Sequence, residues 1–525
     1  MKNETGWTTE EIRRTDEVLL GCSADEINRQ LPQRISHGIL KWADSVPDQA
    51  AVIAGDTTLT YAELRQVVSE VKHYLIDNEI RPGDRVMLVA ENSVVLVAFF
   101  LALSEIDAIA ALINARLSSP EISAIRADCA PRIVVYATSD SVDAAKHAVA
   151  DNCISAQFTF GEVATTSKAD TVPFETSEKG VDQIAAMIYT TGTTGSPKGV
   201  MLTHQNLSFI AFVSGKLRGI GSGDRIYCVL PMSHVFGLSA VCCSVLFAAG
   251  CVDLVTRFDA KETLRALRSG GVVGFLGVPT MYALMLEQLG DEEWHSEQLR
   301  FMYSGGAPLD PDLKNRVQMT FGMPLHNGYG LTETGPTISQ TRLYAPLANC
   351  SVGFVLPGIE TRILGGNGNT VPPGEVGELW VKGPNIMKGY FGKPELTAEV
   401  LVEGWFNTGD RVFEDGDGCI NIAGRSKELI IHSGFNVYPP EVEAVLNSHE
   451  QVAMSAVVGR TVPGNEEVVA FVQPVQGQTI DIPGLIAYLR ERLTGYKVPA
   501  EVRLVLELPA ASSGKILKHR LLQLL

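Results

Sequence analysis

The chain has 525 residues, enough for roughly two to four structural units with large hydrophobic cores. Lysine and arginine together number 43 and aspartate and glutamate 60, so the formal net charge is −17. A protein this acidic repels a phosphate backbone, which argues against nucleic acid as its main partner. A polyanionic ligand would therefore have to be held by local cations and backbone N–H groups.

The nine cysteines are an odd number and form no CxxC pair, a pattern that predicts reduced thiols in a cytoplasmic protein. The adjacent Cys242 and Cys243 are interpreted as core packing. The N-terminal residues carry no hydrophobic signal core. Two apolar runs, 94–103 and 238–255, are shorter or more interrupted than the about 20 apolar residues of a membrane span. Both are expected to be buried helix or strand, and no transmembrane segment is predicted.

Taken in chain order, residues 1–33 are a polar, helix-prone extension, and helical patterns then alternate with β-rich runs. This alternation predicts an α/β fold with a largely parallel sheet. Thr60 is the expected N-cap of an amphipathic helix. The predicted elements are strands at 85–90, 132–137 and 184–189, helices at 59–76 and 204–217, and a loop over 161–181.

A second α/β series runs from about Arg225 to Ala345, and glycine-punctuated strands within 352–383 predict a β-rich subdomain. After Gly424 the pattern changes to a compact α+β unit that ends in a helix at 515–525. The expected organisation is an extension (1–33), a large α/β domain (34–424) of two α/β sheet subdomains plus the β-rich one, and a small α+β domain (425–525).

The segment TTGTTGSPKG at Thr190–Gly199 carries the clearest chemical signal. Its glycines let backbone N–H groups turn toward an anion, its hydroxyls donate further hydrogen bonds, and Lys198 adds positive charge. A triphosphate needs these groups, although a surface turn is the alternative. Lys198 is followed by Gly199 instead of Ser or Thr, so the segment is not a Walker A loop.

With its flanks, MIYTTGTTGSPKGVMLTHQN, the segment resembles the phosphate-binding signature of the adenylate-forming superfamily. That superfamily includes acyl- and aryl-CoA synthetases, adenylation domains of peptide synthetases and firefly-type luciferases. Its other motifs follow in order, so the resemblance covers residues 35–525. They are LPMSHVFGLS (acyl pocket), YSGGAPL (adenine wall), NGYGLTETGP (adenine, α-phosphate and metal), GWFNTGD (ribose), GRSKELIIHSGFNVYPPEVE (hinge) and SSGKILKHRL (catalytic lysine).

The resemblance implies a role for each motif residue. Glu333 would bind Mg²⁺, a hard cation that takes carboxylate oxygen. Lys515 would neutralise both the attacking carboxylate and the α-phosphate, and Lys427 matches the hinge about which the mobile small domain rotates. The residues implied to contact ATP are Thr190, Thr191, Gly192, Thr193, Thr194, Lys198, Gly306, Ala307, Asn327, Gly328, Tyr329, Thr332, Asp410, Arg425 and Lys515.

The same resemblance implies where the acid binds. His234 matches the residue that lies beside the acyl-adenylate and gates thiol access. Phe236 and Tyr303 are expected to sandwich an aromatic ring or to cap a medium alkyl chain. The segment HVFG lacks the aspartate that binds an amino group in peptide synthetases, which disfavours an α-amino acid as substrate. No cation obviously faces the pocket, which disfavours a dicarboxylate. The implied pocket residues are His234, Phe236, Ala240, Tyr303, Gly305, Gly330, Pro336 and Thr337.

For coenzyme A, Arg257 matches a basic position that contacts the CoA nucleotide in coumarate–CoA ligase-like enzymes. Ser433, Gly434 and Asn436 would line the path of the pantetheine arm. Those plant enzymes carry a lysine four residues after the hinge lysine, where this chain has Ile431. A role that rests on that second lysine therefore does not transfer to this chain.

The function predicted is an ATP-dependent acid–thiol ligase that forms an acyl-adenylate and then an acyl-CoA thioester, with Mg²⁺. An aryl or arylpropenoic acid is favoured over a medium- or long-chain fatty acid. The rivals are acyl transfer to a carrier protein's phosphopantetheine, a luciferase-like oxygenase and a nucleotide-binding regulator without activity. The presence of Lys515, Glu333 and Asp410 disfavours the last of these. The oligomeric state stays open.

Overall fold

The computed structural model describes residues 6–174, 176, 180–191, 197–425, 428–432, 435–462, 465–510 and 516–525. Strands and helices alternate along most of the chain. A large N-terminal α/β unit with mixed sheets is followed by a small α+β unit, which confirms the predicted fold class.

The strands of the described residues are β1 (Ala50–Ala54), β2 (Thr57–Thr60), β3 (Arg85–Ala90), β4 (Ile109–Asn114), β5 (Ile133–Tyr136), β6 (Ile154–Phe158), β7 (Gly161–Thr165), β8 (Ile184–Thr191), β9 (Pro197–Thr203), β10 (Arg225–Cys228), β11 (Cys251–Leu254), β12 (Val272–Gly277), β13 (Phe301–Ser304), β14 (Leu325–Gly330), β15 (Thr337–Gln340), β16 (Phe354–Val355), β17 (Glu360–Leu364), β18 (Gly377–Lys382), β19 (Gly389–Tyr390), β20 (Leu401–Val402), β21 (Trp405–Glu414), β22 (Ile420–Arg425), β23 (Ile430–His432), β24 (Phe435–Val437), β25 (Val452–Val462), β26 (Asn465–Pro474) and β27 (Glu501–Leu504).

The α-helices of the same residues are α1 (Thr9–Leu20), α2 (Ile27–Gln30), α3 (Ile35–Leu40), α4 (Trp42–Ser45), α5 (Tyr61–Asp77), α6 (Val94–Glu105), α7 (Ser119–Cys129), α8 (Val142–Ala150), α9 (His204–Leu217), α10 (Ser244–Phe247), α11 (Ala260–Ser269), α12 (Pro279–Leu289), α13 (Pro311–Phe321), α14 (Pro394–Val400), α15 (Pro439–Asn447), α16 (Ile482–Arg492) and α17 (Lys518–Leu522). A π-helical segment, Phe236–Cys243, runs directly into α10.

Two large sheets, each parallel at its centre, form the core of the N-terminal unit. One has the strand order β19-β9-β8-β4-β3-β5-β7-β6 and the other β16-β15-β14-β13-β12-β10-β11-β1-β2. Strands β3, β4 and β5 are buried along their whole length. Burial on both faces explains why these strands appear in the sequence as continuous apolar runs instead of alternating patterns. Strands β17, β18, β20, β21 and β22 form the predicted β-rich part.

Most predicted elements are confirmed within a few residues. Thr60 caps α5 and exchanges hydrogen bonds with Glu63 in a capping box. The run at 94–103 is a helix buried on all sides, and Cys242 and Cys243 are core residues. The loop expected over 161–181 is wrong at its start, because 161–165 form a strand that lies between β5 and β6 and pairs with both. No helix of the described residues is long and apolar enough to cross a membrane.

The N-terminal extension packs on the large unit through a buried ion pair. Asp16 in α1 lies 2.9 Å from the guanidinium of Arg342, and both side chains are almost fully buried. The hydroxyl of Tyr344 donates to Asp16 at 2.6 Å. Arg342 also donates to the backbone carbonyls of Phe354 and Val355. The extension thus fixes the segment that follows β15.

Candidate active site

The candidate site lies where four parallel strands end. Strands β10, β12, β13 and β14 pair in parallel, so their carboxyl ends share one edge of the sheet. Ligands of open α/β sheets bind at such an edge. The loops that leave these strands carry three of the predicted motifs: 230–239, 303–309 and 327–336.

A cleft of about 2900 Å³ opens at this edge and extends to the small C-terminal unit. A pocket for one small ligand occupies about 300–1000 Å³, so the cleft has room for more than one substrate. The predicted residues that line it are Thr190, Lys198, His234, Phe236, Tyr303, Gly305, Gly306, Ala307, Asn327, Gly328, Tyr329, Gly330, Thr332, Glu333, Pro336, Thr337, Asp410, Arg425 and Asn436.

Asp410 lines the cleft and contacts Arg425 and Tyr329. It pairs directly with Arg425 in the β21–β22 ladder. The Nε of Arg425 lies 3.1 Å from Oδ1 of Asp410, and the hydroxyl of Tyr329 donates to Oδ2 at 2.6 Å. Burial, reinforced by the negative charge of Asp410, raises the pKa of Tyr329, so its hydroxyl remains a donor. A carboxylate can accept several hydrogen bonds, which suits a residue that faces the two hydroxyls of a ribose.

Glu333 also lines the cleft and lies in the 3₁₀ turn Thr332–Thr334. The hydroxyl of Tyr390 donates to its Oε1 at 2.8 Å, and the ammonium of Lys198 lies 5.6 Å from the Tyr390 ring centre. The lysine of the predicted phosphate segment and the predicted metal ligand are thus brought together. Among the described residues no donor reaches Oε2 of Glu333, so that oxygen suits a hard cation.

Two buried asparagines, which the sequence analysis missed, hold this loop. Nδ2 of Asn385 donates to the carbonyls of Thr334 and Thr337, at 3.0 and 3.2 Å. Nδ2 of Asn206 donates to the carbonyls on either side of Asn385, at 2.7 and 2.9 Å. The available signal was a polar residue among the apolar positions of α9.

Gly330 lets the chain on either side of Glu333 fold back on itself. A Cβ atom at this position would lie 1.7 Å from the carbonyl oxygen of Pro336 and 3.0 Å from Cα of Thr337. The N–H of Leu331 donates to the same oxygen at 3.1 Å. Only glycine permits this approach.

The acyl side of the cleft is built around Phe236. A Cβ atom on Gly305 would lie 3.0 Å from the Phe236 ring, so the ring rests on the bare backbone of that glycine. The N–H of Phe236 donates to Nδ1 of His234 at 3.3 Å. A neutral His234 therefore carries its proton on Nε2.

Tyr303 is part of the pocket wall. Its side chain is 1% exposed, its hydroxyl donates to the carbonyl of Thr341 at 2.7 Å, and its ring stacks on His326 with centroids 4.9 Å apart. Burial raises the pKa of Tyr303 to about 12. Phe236 is half-buried and Tyr303 almost fully buried, so Phe236 offers the more accessible ring, and the expected contact of both rings with the acid stays a prediction.

The expectation that no cation faces the pocket is also wrong. Arg218, the residue that ends α9, lines the cleft and is 3% exposed. Its guanidinium carbon lies 5.2 Å from the Tyr303 ring centre, and Nη1 donates to the carbonyl of Ala240 at 2.6 Å. Burial lowers the pKa of Arg218 to about 10, so it stays charged at neutral pH.

Two predicted residues lie away from the described lining. Ala240 is fully buried in a cluster behind the pocket. Arg257 pairs with Glu91 at 3.0 Å and with Asp143 at 2.8 Å, and it does not border the cleft. Its role in CoA binding stays a prediction.

Several predicted residues lie outside the described part of the chain: Gly192, Thr193, Thr194, Lys427, Ser433, Gly434 and Lys515. The side chain of Thr191 is likewise not described. The residues next to Lys515 do border the cleft: Ile516, Leu517 and Lys518. Lys518 lies 2.8 Å from Glu443 and 3.2 Å from Glu428, which fixes the start of the last helix.

The chain matches two family profiles over most of its length. The profile of the family described as AMP-binding enzyme matches residues 39–391, and that of the AMP-binding enzyme C-terminal domain matches 441–515.

Two curated relatives span nearly the whole chain. Feruloyl-CoA synthase of Amycolatopsis sp is 37% identical over 477 residues, which are 90% of this chain and 95% of the relative. Indoleacetate–CoA ligase of Aromatoleum aromaticum is 32% identical over 502 residues, or 93% and 98% of the two chains.

A solved structure shares the fold. It is O-succinylbenzoate coenzyme A synthetase from Bacillus subtilis in complex with ATP and magnesium ion. It superposes with a TM-score of 0.78 at 29% identity and covers 92% of this chain and 98% of its own.

Proposed function

This chain belongs to the AMP-binding enzyme family and is an AMP-forming acyl-CoA synthetase, and we propose that its substrate is an aryl or arylpropenoic acid, activated in the cleft described above. The observation that carries the proposal is the accessible Phe236 ring, set on Gly305 beside His234 at the end of the parallel strands. The names of the feruloyl and indoleacetate relatives support an aromatic acid.

The first half-reaction joins the acid to ATP. A carboxylate oxygen of the acid attacks the α-phosphorus, and pyrophosphate leaves. Lys198 would bind the departing phosphates, and Asp410 would accept hydrogen bonds from the ribose hydroxyls. Thr332 lies in the same turn as Glu333 and would donate to the α-phosphate.

Glu333 is the residue we assign to Mg²⁺. Its Oε1 is fixed by Tyr390, and no cluster of three or more acidic, histidine or cysteine ligands exists among the described residues. A site with one protein carboxylate suits Mg²⁺, which commonly completes its shell with substrate phosphates and water. When bound, the ion would neutralise charge on the phosphates.

The second half-reaction transfers the acyl group to CoA. The thiol sulfur attacks the acyl carbonyl, and AMP leaves with its α-phosphate. His234 lies beside the acyl pocket, at the place where a thiol has to arrive. Asn436 borders the cleft from the small unit and would contact the pantetheine arm. Lys515 acts in the first half-reaction only, on this proposal.

The test is a panel of acids with purified enzyme, ATP, Mg²⁺ and CoA. Pyrophosphate release and thiol loss are measured with cinnamate, 4-hydroxycinnamate, indoleacetate, octanoate and palmitate. Pyrophosphate release and thiol loss are expected to be equal, and both rates are expected to be highest with an aryl acid. A fatty acid preferred at least about 10-fold would overturn the substrate proposal. The control Lys515→Ala is expected to lose pyrophosphate release but to convert supplied acyl-adenylate to thioester.

A further inference from the structure

Arg218 is a buried cation that lines the cleft beside the predicted pocket residue Tyr303. Its side chain is 3% exposed, and its guanidinium lies beside the Tyr303 ring. Nη1 is satisfied by the carbonyl of Ala240. Among the described residues, the buried Nε has no hydrogen-bond partner and no carboxylate pairs with the side chain.

Other arginines of this chain show what the edge formed by Nε and Nη2 ordinarily binds. In Arg34, Arg225 and Arg342 both Nε and Nη2 donate to an aspartate. This edge matches a carboxylate because its two N–H groups are parallel. In Arg218 neither Nε nor Nη2 has a partner among the described residues.

An unpaired buried charge is costly, and proteins retain one where a partner arrives from outside. The end of α9 offsets part of the cost, because the negative end of a helix dipole favours a cation. The Tyr303 ring offsets a further part. Neither of them supplies an acceptor for Nε and Nη2, whereas a molecule in the acyl pocket would lie against the same guanidinium.

We infer that the acid activated by this enzyme carries an oxygen acceptor, a carboxylate or a phenolic oxygen, at the end remote from the reacting carboxylate, and that Arg218 binds it. This inference rests on the proposed function, since it extends the same acyl pocket. The aromatic part of the acid would lie on Phe236, and its distal oxygen would meet Arg218. An acid without that oxygen would leave the guanidinium desolvated and unpaired.

The experiment compares four acids with wild-type enzyme and with Arg218→Met. They are cinnamate, 4-hydroxycinnamate, 4-carboxycinnamate and the last acid with its ring carboxylate, not its reacting carboxylate, converted to a methyl ester. Measured are kcat/KM for thioester formation and, independently of turnover, the affinity for each acid by calorimetry. Lys216→Met is the matched control: it removes a cation from the same helix end, but Lys216 donates to Leu20 and does not border the cleft.

The wild type is expected to prefer the hydroxylated or carboxylated acid to cinnamate by about 10- to 100-fold, the range of one hydrogen bond to a buried charge. Arg218→Met should erase that preference and leave cinnamate within about 3-fold, while Lys216→Met should keep it. Arg218→Lys retains the charge but not the paired Nε and Nη2 donors, so it should keep part of the preference. This variant also controls for misfolding of Arg218→Met.

Equal wild-type affinity for all four acids would overturn the inference, as would an equal loss for every acid in both Arg218 variants. The proposed function fails in a different way, by the absence of thioester from every aromatic acid. The calorimetric comparison still decides the role of Arg218 in that case.

Discussion

Replacing Gly330 by alanine is expected to disable the loop that carries Thr332 and Glu333. The new Cβ would lie 1.7 Å from the carbonyl oxygen of Pro336. Comfortable contacts between such atoms need about 3.5 Å, so the two strands of the loop must separate by more than about 1.5 Å. The obstacle is backbone on both sides, and no side-chain rotation relieves it.

A displacement of that size at catalytic groups typically costs about 100-fold in rate. Gly330→Ala should therefore lower kcat/KM for pyrophosphate release by about 100-fold or more. Gly366→Ala is the matched control, because a Cβ there meets nothing within 4 Å and the backbone φ is not positive. That control should stay within about 0.5 kcal/mol of wild type in stability and keep its activity.

The assay is single-turnover formation of acyl-adenylate, with circular dichroism to confirm that each variant folds. Thioester formation from supplied acyl-adenylate separates the two halves, and it should fall less than adenylation. Wild-type kinetics in Gly330→Ala would refute the argument, because the backbone clash is then absorbed without moving Glu333.

Two further predictions concern neighbouring groups. Tyr390→Phe removes the hydroxyl that holds Glu333 but keeps the ring beside Lys198, so half-saturating Mg²⁺ should rise about 10-fold in steady-state assays; an unchanged Mg²⁺ dependence contradicts the assignment. Burial lowers the pKa of His326 to about 4, so between pH 6.5 and 4 the unfolded chain binds a proton that the folded protein does not. Stability is then lost as pH falls through that window, by at most about 3 kcal/mol, and His326→Gln should show a smaller drop in Tm between pH 7 and 5; an equal drop in both proteins goes against this explanation.

Local patterns predicted the fold well because local physics dominates those elements. Thr60 and Glu63 are three residues apart and cap their helix by themselves. The strand Arg85–Ala90 is buried at all six positions, and five of its six residues are apolar in the sequence. The strand at 161–165 was missed, because four of its five residues are polar or small and do not give an apolar strand pattern. Whether such a strand forms depends on the strands on both sides of it, here β5 and β6, as well as on its own residues.

The site divides in the same way. Motif resemblance located Asp410 and Glu333, whose side chains the structure places on one cleft. It did not locate Tyr390, whose hydroxyl donates to Glu333 from 57 positions away, or Asn385, whose amide donates to the carbonyl of Thr334 from 51 positions away. These partners are single polar residues in ordinary sequence, and only the folded chain shows what they hold.

Arg218 shows why the sequence analysis wrongly expected no cation at the acyl pocket. In the sequence it is one basic residue near the end of a helix, followed by a glycine, where a solvent-exposed cation is the ordinary expectation. The structure turns it inward, because the π-helical segment brings the carbonyl of Ala240 within 2.6 Å of Nη1. The pocket that seemed to exclude an anionic group therefore contains a cation whose carboxylate-binding edge is unpaired within the described chain. The choice of acid thus depends on which oxygen completes Arg218 as well as on the ring of Phe236.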